Sequence, residues 1–167
     1  MAYVDKILLP DERIIYAATL HWVIYLQGLV VTLFGGILGS MSHPLMALLF
    51  GEKIGAQFAR SISVVSMVIV LVGALLVLVA NLRQTSTEIV ITNKRLIAKY
   101  GIVARATFEI LANRITGANF DQSVAGRVFG FGTILVHGAG GEISPIDMVS
   151  NPQLFYRALV SVLEKSR

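Results

Sequence analysis

Two long stretches of this chain carry no full charge, and they limit its fold more than any other feature. They run from Ile14 to Gly51 and from Ser61 to Leu82. Charged residues make up only 14% of the 167 positions and hydrophobic residues 55%, whereas about 25% charged residues is usual for a soluble domain. The charges crowd into the first dozen residues, the stretch Glu52 to Arg60, and everything after Arg83. A bilayer imposes such segregation, because a charge at its centre costs about 2.5–3.5 kcal/mol on insertion scales.

Residues 61–82 are long enough to cross a hydrocarbon core of about 30 Å as a helix rising about 1.5 Å per residue. Arg60 and Arg83 bracket them. The first crossing is expected at about Trp22 to Met41. It opens on His21, Trp22 and Tyr25, in the manner of an interfacial aromatic belt. Pro44 to Phe50 is too short to cross again, and either extends this helix after a kink or lies at the interface. A cleaved signal peptide fits poorly, because the apolar run is too long and acidic Asp11 and Glu12 precede it.

Lysines and arginines near the membrane ends orient the pair. Lys6, Arg13, Arg83, Lys94, Arg95 and Lys99 flank it on one side, against Lys53 and Arg60 in the connection. Both termini are therefore expected in the cytoplasm. Gly28, Thr32, Gly36 and Ser40 fall four apart on the first helix, and Ser66 and Gly73 seven apart on the second. Small residues at such spacings let helices approach closely, within one chain or between copies.

After Arg83 the pattern breaks into short alternating runs. Strands are expected at 87–92, 95–100, 104–110, 115–122, 133–137 and 142–146, with turns at Asn93-Lys94, at Gly101 and at 138–141. A closing helix opens on Asn151 as N-cap and Pro152 at its first position. Its apolar stripe is Phe155, Ala158, Leu159, Val162 and Leu163. The domain organisation is thus an N-terminal segment 1–21, a transmembrane pair 22–82, and a small β-rich domain 83–167. The formal charge of +4 falls entirely on that last part.

The run TEIVITNKRLIAKYGIVARATFEILANRITGANFDQSVAGRVFGFGTILVHGAGGE, followed by NPQLFYRAL, resembles the bacterial pleckstrin-homology-like domain of small membrane proteins. The motifs in order are Thr-Asn-Lys-Arg-Leu, a Gly after the next strand, Arg-Ile, Gln-Ser, Gly-Arg, Gly-Phe-Gly-Thr and Asn-Pro. The opening LLPDERIIYAATLHW is similar too. The resemblance implies an α+β membrane protein, with a transmembrane helical hairpin and a pleckstrin-homology-like β-barrel capped by the C-terminal helix. It also implies residence in a bacterial inner membrane. It implies no reaction, since fold alone does not settle function.

Candidate chemistry is sparse. Gly126, Gly130 and Gly132 with Arg127 suggest a phosphate cradle, but a strand follows them and a turn explains them better. His21, His43 and His137 do not cluster, and there is no cysteine, so no metal or cofactor is expected. Ser123, His137 and Asp147 form a triad only on paper. No ionisable residue sits in either helix core, and Gln27 and Asn81 lie towards the ends, which argues against an ion pathway. No basic stripe interleaves with aromatic residues, so nucleic acid is not an expected partner. The resemblance places Lys94, Arg95, Lys99 and Arg105 in the first hairpins, where pleckstrin-homology domains often hold phosphoinositide headgroups. The expectation is a non-enzymatic interaction module whose partners are the bilayer, further copies of itself or another protein. The alternative is an anionic-lipid binder using those four residues.

Overall fold

In a computed structural model the described residues are 7–101, 106–141 and 143–166. The chain divides into two compact units, residues 22–81 and residues 1–21 together with 82–167.

The first unit is one long apolar helical run. A 3-10 turn, Trp22–Tyr25, leads into α1, Leu26–Ser86, whose backbone leaves helical geometry at Gly51. Gly51 has φ 76 and ψ 166, a region essentially reserved for glycine. The expectation of two separate helices at about 22–41 and 61–82 is corrected here. Residues 42–60 are helical as well, apart from the break at Gly51, and Pro44 lies inside the helix.

The two arms of the run lie against each other. A Cβ added at Gly28 would come 2.7 Å from Val77, one at Gly39 2.5 Å from the Ser66 hydroxyl, and one at Gly73 would strike Thr32. Ser42 and Ser63 hydroxyls meet at 3.1 Å. The buried positions are Gly28, Gly35 and Ser42 on one arm and Gly55, Ala59, Ser66, Gly73 and Ala80 on the other. Most repeat every seven residues, the period of a supercoiled seam at 3.5 residues per turn. The expected four-residue stripe is therefore divided between two faces of the first arm. Gly28 and Thr32 face the second arm, while Gly36 and Ser40 are exposed and a Cβ at Gly36 would meet nothing. Large apolar side chains point outward instead: Leu33 is 64% exposed, Phe34 62%, Leu48 83% and Leu71 60%.

The second unit buries its apolar residues in the ordinary way. Strands β1 (Ile14–Ala18), β2 (Glu88–Thr92), β3 (Arg95–Tyr100) and β4 (Ala106–Leu111) form one antiparallel sheet in that order. After a 3-10 turn at Ala112–Arg114, strands β5 (Ile115–Asp121), β6 (Phe131–Gly138) and β7 (Ile143–Ser150) form another. Helix α2 (Val124–Phe129) links β5 to β6, and α3 (Pro152–Ser166) closes the chain. The expected closed barrel is thus two sheets. A bridge from Leu20 to Val149 joins them at one corner, but the 3-10 turn after β4 starts a new sheet.

β1 falls in the segment expected to be separate from the domain, yet it pairs with β2 through Ala17 opposite Val90. Sheet one is covered on both faces. Ile89, Ile91 and Leu96 join the main core with Ile134, Val136 and Phe155, whereas Val90 and Ile97 pack under Ile7 and Leu8. That double cover explains why the middle of β2, Ile89-Val90-Ile91, is apolar without alternation. On α3, Phe155, Leu159 and Val162 are 0%, 1% and 3% exposed. Spaced i, i+4 and i+7, they share one face. Burying each contributes about 1.5–3 kcal/mol. The Tyr16 ring meets Phe155 edge-on at 6.0 Å.

Candidate functional site

The β2–β3 turn carries two of the four basic residues expected to contact headgroups, Lys94 and Arg95, and it is a clasp. Thr92 is fully buried. Its hydroxyl donates to Glu12 Oε1 at 2.7 Å and accepts the N–H groups of Lys94 and Arg95 at 3.2 and 3.0 Å. Asn93 Oδ1 accepts the Arg13 N–H at 2.9 Å, and its amide donates to the Asp11 carbonyl at 3.2 Å. The Arg95 guanidinium grips Glu12 with both prongs, Nε to Oε1 at 2.9 Å and Nη2 to Oε2 at 3.0 Å. Nη2 also donates to the Ile7 carbonyl at 2.9 Å, and Nη1 to Glu109 at 2.8 Å.

The Glu12 side chain is 0% exposed and that of Arg95 14%. Burial pushes the Glu12 carboxyl up, but the Arg95 fork, the Leu9 N–H and the Thr92 hydroxyl outweigh it and hold the carboxyl below its ordinary value. Hydrogen bonding to Glu12 raises the Arg95 guanidinium against its own desolvation. Two motifs some eighty residues apart, Pro-Asp-Glu-Arg and Thr-Asn-Lys-Arg, are therefore halves of one structural device.

Among the described residues, Lys94, Arg95 and Lys99 are held in three different settings. Arg95 is committed to two carboxylates. Lys99 sits opposite Glu88 in the ladder. Lys94 is exposed at the other end of β3, about 17 Å away along the strand. Arg105 lies outside the described residues.

The glycine-rich stretch, expected as a turn, contains α2, which spacing alone does not reveal. Ser123 caps it by accepting the Gly126 N–H at 3.0 Å, and Gly130 ends it in the left-handed region at φ 82. Gln122 ties the loop down, donating to the Gly126 and Phe131 carbonyls at 2.9 and 3.2 Å. Gly126 and Gly132 are sites of close backbone approach, to Phe131 and Asp121. Beside α2 lies a cavity of about 420 Å³ lined by Gln122, Arg127, Asn151, Leu154 and Arg157 among others.

The paper triad stays apart. Ser123 is the α2 cap, Asp147 accepts from Thr133 at 3.1 Å, and the His137 ring stands 3.5 Å from the Asn119 amide. His21 is buried in the sheet unit against Phe131 at 5.5 Å. Among the described residues no three His, Asp or Glu side chains group as metal ligands. Tyr100 has a buried hydroxyl without a hydrogen-bond partner there; burial, with Asp147 nearby, pushes it up to about 12.

A model of the bacterial PH domain family matches residues 30–158. The chain belongs to that family. The match takes in most of the helical run as well as β2 to β7, so the bacterial PH domain pattern extends over the apolar helix. It begins after β1 and the Glu12 half of the clasp. No curated protein and no solved structure matches the chain.

Proposed function

We propose that this bacterial PH protein is a membrane-anchored, non-enzymatic interaction module. The helical run crosses the bilayer twice, and the sheet unit, with both chain ends, works in the cytoplasm of a bacterial inner membrane. The observation that carries the anchoring is the inverted burial of the helical unit. Glycine, serine and alanine fill its seam while Leu33, Phe34, Leu48 and Leu71 face out. In water that arrangement would expose a continuous apolar surface; in lipid it is the low-energy one. The helical arm before Gly51 is about 38 Å long and the arm after it about 52 Å at about 1.5 Å per residue, each enough to cross. The surplus of Lys and Arg outside the Lys53–Arg60 connection supports the orientation.

A PH-like fold supports interaction with proteins or lipids as the sheet unit's task. The headgroup reading on Lys94, Arg95, Lys99 and Arg105 is not the one we favour, because Arg95 already serves Glu12 and Glu109. Self-association through the small residues would use the outward Gly36 and Ser40, since the seam residues are occupied within the chain.

The chain has no cysteine, so single-cysteine variants report topology directly. Glu52→Cys is expected to react with an impermeant maleimide from outside intact cells, and Glu164→Cys only after lysis. A chain released from membranes by alkaline carbonate, or the reverse labelling pattern, would overturn the proposal.

A further inference from the structure

We propose that the face formed by α2 and the start of α3 docks on an anionic phospholipid surface, with lipid phosphates held between Arg127 and Arg157. The inference rests on the anchored reading only for bringing the sheet unit to a bilayer.

Three observations point there. Arg127 and Arg157 line the same 420 Å³ cavity, and no acidic side chain lines it with them. Both are exposed, and among the described residues neither makes an ion pair. This contrasts with Arg95, which the fold consumes. Guanidinium groups in that state suit phosphate, which they grip with two parallel N–H bonds. The second observation is apolar. Val124 is 81% exposed, Val128 75%, Phe129 48% and Leu154 52%. Val124 and Val128 are four apart and so share one side of α2. Large apolar groups rimmed by cations form the surface that settles at a headgroup boundary.

The third observation is rigidity. The Ser123 cap, the Gly130 end and the two Gln122 hydrogen bonds fix both ends of α2. Docking therefore has little conformational entropy to lose. An acidic protein would also attract two arginines. The bilayer is favoured because the proposed anchor holds the unit beside one at high effective concentration, and because the apolar tip is small.

The test uses the full chain with Ala125→Cys carrying an environment-sensitive fluorophore. It is placed in lipid nanodiscs that are either purely zwitterionic or about one third phosphatidylglycerol. In the anionic discs the probe is expected to shift to the blue and be quenched by spin-labelled lipid, less so at high salt. Arg127→Gln with Arg157→Gln is expected to lower the docked-to-free ratio by about tenfold or more, at ~1 kcal/mol per basic residue. Val124→Ser with Val128→Ser is expected to weaken quenching in both compositions. An equal signal in the two discs, or an unchanged arginine double variant, overturns the proposal. So does a blue shift in lipid-free detergent that grows with protein concentration, since that identifies a second copy as the occupant. A chain that fails to enter discs counts against the anchor alone. Added vesicles of the same two compositions, read by the same probe, then decide docking by the same criteria.

Discussion

The helical run and the sheet unit draw on similar apolar residues and bury opposite ones. In the sheet unit Phe155, Ile134 and Leu159 are inside. In the helical run the inside belongs to Gly28, Gly35, Ser66 and Gly73, and the large residues are outside. The difference is what supports the proposed membrane anchor, because water and lipid reward opposite burial. Where water surrounds a fold, area removed from it drives the packing. Where lipid does, leucine gains little by turning inward, and close backbone approach decides the contact.

The largest effect that could break this comparison comes from paired truncations of phenylalanine. Phe155→Ala is expected to destabilise the sheet unit by about 3–5 kcal/mol. Phe34→Ala, at an outward position of the helical run, should shift detergent-solubilised unfolding by less than about 0.5 kcal/mol. Equal losses by denaturant titration would mean that the two regions are not built on opposite principles.

The clasp comes next. Glu12→Ala strands Arg95 beside buried backbone and should cost about 2–4 kcal/mol. Thermal unfolding of Glu12→Ala, Arg95→Ala and the double variant would show the coupling, with the double variant costing clearly less than the sum of the two.

A smaller effect sharpens the seam. Gly73→Val drives a Cβ into Thr32 and is expected to cost about 1–3 kcal/mol. Gly36→Val meets open space and should be silent in the same melt. The reverse outcome would restore the four-residue stripe.

The smallest is a pH effect. The Glu12 carboxyl sits below its ordinary 4.5 in the folded state. Its contribution is therefore complete above about 4.5 and fades as pH falls through the lower folded value. A Glu12→Gln variant should lose this part of the acid dependence of unfolding.

The apolar run was legible because charge is absent from it, and that signal needs no partner. α3 was legible because Phe155, Leu159 and Val162 repeat at helical spacing beside an Asn-Pro start. β1 was not, since Ile14–Ala18 lies in the same uncharged stretch as the helix and only its pairing with β2 distinguishes it. The extension of helix through Pro44 was one of two readings the sequence left open, because proline removes a backbone donor and normally ends helices. The role of Arg95 was hidden for a different reason. Its partner Glu12 is distant in sequence, and a charge in a hairpin looks solvated until the strand beside it is known. Helix α2 is only six residues long with a glycine inside it, too short for periodicity to register. Arg127 was noticed in the sequence, but Arg157 joins it only in three dimensions.

The inverted burial of the helical run is the central claim, and brominated-lipid quenching tests it most directly. The chain has a single tryptophan, Trp22. In a Trp22→Phe background, a Leu71→Trp variant reconstituted in bilayers is expected to emit in the blue and be strongly quenched by lipids brominated deep in the acyl chain. Emission at the wavelength of water-exposed tryptophan, untouched by brominated lipid, would contradict the account.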